Sequence, residues 1–352
     1  MDRRTLLVAA AASALTLAVV WVFSSTRSER PEDATGAARA RPTPVAAGGN
    51  QGPPFYTVAD LGVKLAYARV GPTGVGTLVI ETAAGANDVG RVKGFFTGMA
   101  WSPDGRLLAV SYGAAPDTQD IHVYNPESGE LKQVTNDGRS RRPTWSPDGA
   151  FIAFSSGSEG PGQGPVFTVA ASGSDRKALS RDARHDAPAW APDGSAIAVS
   201  REPGTIVLLS PTTGDEQKQV TLLREFAPAY SSLDWSPDSD ALATTVLAGP
   251  QLAIAVVGDK LTSQRQIGGA FLGNPVDPAW VHPSWVPGFP KIIAASERSG
   301  DLVLVDLSAS SGDMPSDAPY APVQVLVPAP EGFKLAFPAV YGPRAAGGSS
   351  IV

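Results

Sequence analysis

The sequence predicts an all-β protein: a six-bladed β-propeller of four-stranded antiparallel blades, preceded by one amino-terminal hydrophobic helix. Three observations predict it. A tryptophan-led phrase recurs at Trp101, Trp145, Trp190 and Trp235, at steps of 44 or 45 residues. An apolar run of strand character follows each copy. Before the array, an uncharged stretch from Thr5 to Phe23 gives way to a segment without apolar periodicity. A fixed period of this length marks stacked units, each too small to bury its own core alone.

The amino terminus comes first in order. Residues 1–4 form a short flank with Arg3 and Arg4, and residues 5–23 are the hydrophobic segment. As a helix it spans about 27 Å, close to the thickness of a bilayer core. Two readings stand. One is an uncleaved signal-anchor, which the run favours because it exceeds the usual signal-peptide core of roughly 7–15 residues; the other is a cleaved signal peptide. Arg27 and Arg30 balance Arg3 and Arg4, so flanking charge does not orient the segment. Residues 24–54 are rich in Ala, Gly, Pro, Ser and Arg and read as a flexible stalk.

The propeller is expected over 55–342. Its copies are Trp101-Ser102-Pro103-Asp104-Gly105, Trp145-Ser146-Pro147-Asp148-Gly149, Trp190-Ala191-Pro192-Asp193-Gly194 and Trp235-Ser236-Pro237-Asp238-Ser239. Proline presets φ at the first turn corner, aspartate bonds back to the backbone, and glycine accepts the positive φ that closes a hairpin. Second strands follow, such as Phe151-Ile152-Ala153-Phe154, then third strands such as Ile206-Val207-Leu208-Leu209. A weaker fourth strand leads to the next tryptophan. Trp285-Val286-Pro287-Gly288 is a degenerate copy, and Tyr56 stands 45 residues before Trp101. That makes six units. Either the stretch around residues 55–58 or Phe337-Pro338-Ala339-Val340-Tyr341 supplies the closing inner strand. Residues 343–352 read as a disordered tail.

Pro143-Thr144-Trp145-Ser146-Pro147-Asp148-Gly149-Ala150-Phe151-Ile152-Ala153-Phe154 resembles the repeat of TolB-type WD-like β-propellers. The resemblance implies a bacterial envelope protein. It departs from the family where TolB carries a folded α/β domain ahead of its propeller. It departs equally from the propeller peptidases, for no Gly-x-Ser-x-Gly elbow is present. A bare propeller is implied, and propellers host many functions.

The net charge of −6 argues against a nucleic-acid partner, and the absence of cysteine excludes disulfides and thiolate sites. Trp101, Trp145, Trp190, Trp235 and Trp285 are in phase with the repeat and read as packing between blades. Asp234, Asp238 and Asp240 read as a solvated turn, not a calcium loop. His185 and His282 precede tryptophans near the channel mouth, but two ligands are too few for zinc. No cofactor and no catalytic or metal residue is assigned.

The two faces of the ring differ. One carries short, repetitive hairpins. The other carries irregular connections (112–120, 156–165, 181–186, 224–232, 270–282 and 296–300), and irregular loops on a rigid frame are where binding concentrates. Arg139, Arg141, Arg142, Arg181 and Arg184, with His185, are the candidate partner-binding residues on that face; Asp137, Asp182 and Asp186 lie among them, so a neutral, solvated salt-bridge surface is an equal reading. The expected function is a non-catalytic scaffold, anchored in the cytoplasmic membrane by 5–23 with an extracytoplasmic propeller, that binds an envelope protein or polysaccharide. After signal cleavage it would instead be secreted or periplasmic. The rival is a lyase or hydrolase with its site at the channel mouth. A sensor domain is disfavoured by the brief segment ahead of residue 5.

Overall fold

The computed structural model describes residues 56–342, apart from 158–163, 181–184, 202–203, 223–225, 249–250, 259–262, 268–279 and 308–322. The chain divides into two units, Met1–Gly52 and Pro53–Val352, of which the second is described. The expected anchor (5–23), stalk (24–54) and tail (343–352), together with Arg181 and Arg184, lie outside the described residues. Among the described residues, no helix is long and apolar enough to cross a membrane.

The described chain opens on one helical turn, α1 (Val58–Leu61). Thr57 caps it: the Thr57 hydroxyl accepts from the Asp60 amide, and the Asp60 carboxylate accepts the Thr57 amide at 2.8 Å. Gly62, at φ 63°, ends the turn. Among the described residues, everything after it is strand, turn and loop.

The strands β1 (Lys64–Val70), β2 (Gly76–Thr82), β3 (Gly85–Trp101), β4 (Leu108–Ala115), β5 (Thr118–Tyr124) and β6 (Leu131–Gln133) join the last strand, β23 (Lys334–Tyr341), in a seven-stranded antiparallel sheet. The 17-residue β3 pairs with β2 along its first half and with β4 along its second. Four four-stranded sheets follow. They are β7 (Ser140–Trp145), β8 (Phe151–Ser156), β9 (Val166–Ala170) and β10 (Lys177–Ala178); then β11 (His185–Trp190), β12 (Ile197–Arg201), β13 (Thr205–Leu209) and β14 (Glu216–Thr221). The last two are β15 (Phe226–Trp235), β16 (Leu242–Ala248), β17 (Gln251–Gly258) and β18 (Ser263–Ile267); and β19 (Trp280–Trp285), β20 (Lys291–Ser296), β21 (Leu302–Asp306) and β22 (Val323–Val327). Of the two stretches that could close the ring, β23 does so. It pairs with β1, Val340 opposite Leu65, and joins the two ends of the array. Closure covers a strand edge that would otherwise stand open.

The tryptophans hold neighbouring sheets together. Trp145 packs with Ala109, Ile121 and Val123 of the sheet before it, and Trp235 with Ala198 and Ile206. Four indole N–H groups reach back to a backbone carbonyl of the preceding inner strand: Trp101 to Ala339 at 3.2 Å, Trp145 to Ala100 at 3.0 Å, Trp235 to Ala189 at 3.1 Å and Trp285 to Asp234 at 3.1 Å. Trp190 breaks the series. Its indole N–H has no acceptor, while its backbone N–H donates to Thr144 Oγ1 at 3.1 Å.

The hairpins repeat their bonds too. The Ser146 hydroxyl donates to Asp148 Oδ1 and accepts the Phe151 amide at 2.9 Å; Ser102 and Ser236 do the same. These serine bonds hold the Asp104 and Asp148 carboxyls below their ordinary range. In the fourth copy Ser239 replaces glycine and still takes φ 64°.

Candidate functional site

The innermost strand of each repeat ends at the tryptophan. Three residues upstream sits a residue that precedes proline in Arg142-Pro143, Ala187-Pro188, His282-Pro283 and Phe337-Pro338. Proline has no N–H to give, so it suits a strand whose free edge faces away from the sheet. The pairing slips there. Register shifts fall between Arg141 and Thr144, Asp186 and Ala189, and Val281 and Ser284. Arg142, Ala187, His282 and Phe337 all adopt left-handed φ of 44–54°. For a non-glycine residue this costs about 1–3 kcal/mol, and such strain gathers at functional positions.

The consequence is a ring. Gly98, Arg142, Ala187, Ser232, His282 and Phe337 occupy the same place in six successive inner strands. All of them line one central channel, a cavity of about 520 Å³. At the hairpin end the channel is bounded by Pro103, Pro147, Pro192, Pro237 and Pro287.

Chemistry differs around the ring. Arg142 is ion-paired with Asp186 of the next sheet. Asp186 is 4% exposed, and the Ser155 hydroxyl donates to its other oxygen at 3.0 Å. Asp186 therefore aims one edge of the guanidinium and leaves part of Arg142 open to the channel. Gly98 stands beside it; a Cβ there would lie 3.1 Å from the Arg142 Cα, so glycine permits the two inner strands to approach this closely. The His282 ring lies against Phe337, with centroids 4.4 Å apart. Burial pushes the His282 imidazole down to about 3, and the Arg142 charge adds to the effect. The two side chains thus share one electrostatic environment, and His282 is neutral at pH 7.

Asp234 also lines the channel. It is not the solvated turn expected of it. Its carboxylate accepts the Trp285 amide at 2.8 Å, and burial raises its carboxyl to about 7. Position decides this: Asp234 is the last residue before the tryptophan on β15, inside the ring, whereas Asp238 belongs to the exposed hairpin. Among the described residues no group of three or more His, Asp or Glu side chains is placed to hold a metal.

The arginines do not form one patch. Arg139 is exposed. Arg141 turns back and donates from Nε to Gln119 Oε1 at 2.7 Å. Arg142 belongs to the channel. His185 is corrected as well: at 2% exposure on β11 it lies in the interior and offers no surface to a partner. The connection carrying Arg139 is firmly held. Asp137 accepts the Arg139 amide at 2.9 Å, the Ser140 hydroxyl at 2.8 Å, the Ser156 hydroxyl at 2.9 Å and Arg176 at 2.5 Å. Burial opposes the Asp137 charge, but these bonds outweigh it and hold the carboxyl low. Asp120 secures the same loop through the Gly138 amide at 3.1 Å. Arg176 stacks on Phe154 and Phe167.

Sequence reasoning placed His282 near the channel and missed the ring. The signal was present, since the residue before proline keeps the phase of the tryptophans.

Residues 57–225 match the family model of the TolB beta propeller domain. TolB from Acinetobacter baumannii superposes with a TM-score of 0.62 and 18% identity, covering 80% of this chain and 67% of that one. A chain of the nidogen/laminin complex gives 0.61 at 11% identity, over 81% of this chain and all of the other. A putative TolB from Agrobacterium tumefaciens gives 0.53 at 15%, over 80% and 99%. At these identities the likeness is one of fold. Protein HIR1 of Cryptococcus neoformans var. neoformans serotype D is 34% identical over 86 residues, which is 22% of this chain and 9% of that protein. This chain thus matches only a small part of that relative's length.

Proposed function

We propose that this chain, a TolB-type β-propeller protein, is a non-catalytic scaffold whose irregular loop face binds a protein or polysaccharide of the cell envelope. The seven-stranded sheet reads as two blades sharing β3, and the ring as six blades. Residues 5–23 hold the propeller at the cytoplasmic membrane and 24–54 carry it outward. The Gln324 amide clips both backbone groups of Tyr56 at the first described residue of the ring.

The observation that carries the reading is the setting of Arg139. Two carboxylates, Asp120 and Asp137, fix its loop through backbone amides while its side chain stays exposed. A loop ordered in advance loses little entropy on binding, and arginine is enriched at interface anchors. The test is crosslinking and capture from intact cells with the full chain, wild type beside Arg139→Glu. One envelope partner that is captured by wild type and lost in the variant is the expected result. A partner held equally by both would move the binding face elsewhere on the ring.

A further inference from the structure

We propose that the central channel is a second, separate binding site, for a small organic acid: Arg142 takes the carboxylate, and the His282–Phe337 ring pair packs against the apolar body. Four features meet here. The cavity, at about 520 Å³, is of the size that small-molecule sites have, roughly 300–1,000 Å³. Its lining includes an arginine aimed from behind by a buried carboxylate, and guanidinium matches carboxylate geometry with two parallel N–H donors. A neutral imidazole tilted at 41° against a phenyl ring offers an apolar wall within reach of that arginine's charge. Gly98 lets its strand pack closely against the Arg142 backbone, which fixes where that side chain starts.

The acidic groups do not reverse this preference. Asp186 is spent on Arg142 and Ser155, and it sits behind the guanidinium, 4% exposed. Asp234 is tied to the Trp285 amide and half protonated near neutral pH. A cation would meet Arg142 without a free carboxylate to offset it. The left-handed backbone at Arg142, His282 and Phe337 places three side chains on the channel lining.

The site is independent of the loop face, so an Arg139→Glu variant should bind the acid as wild type does. The probes are phenylacetate and its neutral amide, phenylacetamide. Ten heavy atoms at about 0.3–0.5 kcal/mol each give a dissociation constant in the millimolar range. The readout is proton NMR of the full chain's imidazoles, of which there are three: His122, His185 and His282. Phenylacetate should move the His282 resonance saturably and leave His122 and His185 in place. Phenylacetamide should bind at least about tenfold more weakly, and Arg142→Gln should abolish the difference between the two probes. Unmoved His122 and His185 signals report that the variant is folded. Phe337→Ala leaves the Arg142–Asp186 pair intact and should weaken phenylacetate several-fold. Equal responses to acid and amide in wild type, or no His282 shift with phenylacetate at tens of millimolar, would overturn the proposal.

Discussion

The inner strands have two ends, and the ends obey different rules. At the tryptophan end most repeats agree in residue and in bond, the Trp190 copy being the exception. Trp145 and Trp235 make the same indole contact, and Ser102, Ser146 and Ser236 make the same turn. Three residues upstream, the ring holds glycine, arginine, alanine, serine, histidine and phenylalanine at one structural position. The first end joins sheet to sheet, and any departure weakens a seam. The second faces a cavity, where side chains are free to differ once proline and the register slip have set the backbone. Sameness within this chain marks assembly, and difference marks the surface available for recognition.

The largest test of this contrast is Trp145→Ala. Removing a buried aromatic from a seam should cost about 3–5 kcal/mol in chemical denaturation, whereas Phe337→Ala in the cavity wall should cost much less. A loss below about 0.5 kcal/mol at Trp145 would put the side chain outside the packing. Next comes Ser146→Ala. The serine is 1% exposed and both donates and accepts within its hairpin, so its loss should cost about 1–3 kcal/mol.

The channel should also be visible in the pH dependence of stability. Asp234, raised to about 7, holds its proton in the folded state over a range where the unfolded chain has lost it. Stability from this group is present at low pH and falls between about 4 and 7, by at most about 1.4 kcal/mol per pH unit. His282, lowered to about 3, works the other way: stability falls as pH drops from about 6.5 toward 3. The two slopes offset each other between about pH 4 and 6.5. Urea titrations should find that Asp234→Asn, which keeps an acceptor for the Trp285 amide, makes stability rise more steeply with pH in that window. An unchanged slope would remove Asp234 from the buried ring.

The smallest effect separates two tryptophans. Trp145→Phe loses an indole hydrogen bond and should cost about 1 kcal/mol more than Trp190→Phe, whose indole N–H has no acceptor to lose. Equal costs in paired melts would mean that the indole bonds add nothing to the seams.

Much of the fold was legible because its causes are local. Pro147, Asp148 and Gly149 specify their turn within five residues, and the run Phe151-Ile152-Ala153-Phe154 specifies the strand that follows. The tryptophan spacing supplied the repeat. The site was legible only in outline. Arg139, Arg141 and Arg142 are close neighbours in sequence, yet strand alternation and the slip before Pro143 send them to solvent, to Gln119 and to the channel. His185 sits beside a run of charge and is buried all the same.

By itself, then, the sequence determined the repeat, the turns and the apolar faces, since each depends on residues within one unit. Tertiary structure alone decided that β23, from the far end of the chain, closes against β1. It also decided that Asp186 aims Arg142, that Asp234 meets the Trp285 amide, and that His282 lies within reach of Arg142's charge. The reason is distance along the chain. These partners are separated by between one and several repeats, and only the stacking of repeats and the closing of the ring bring their side chains together out of water, where burial and charge act on them.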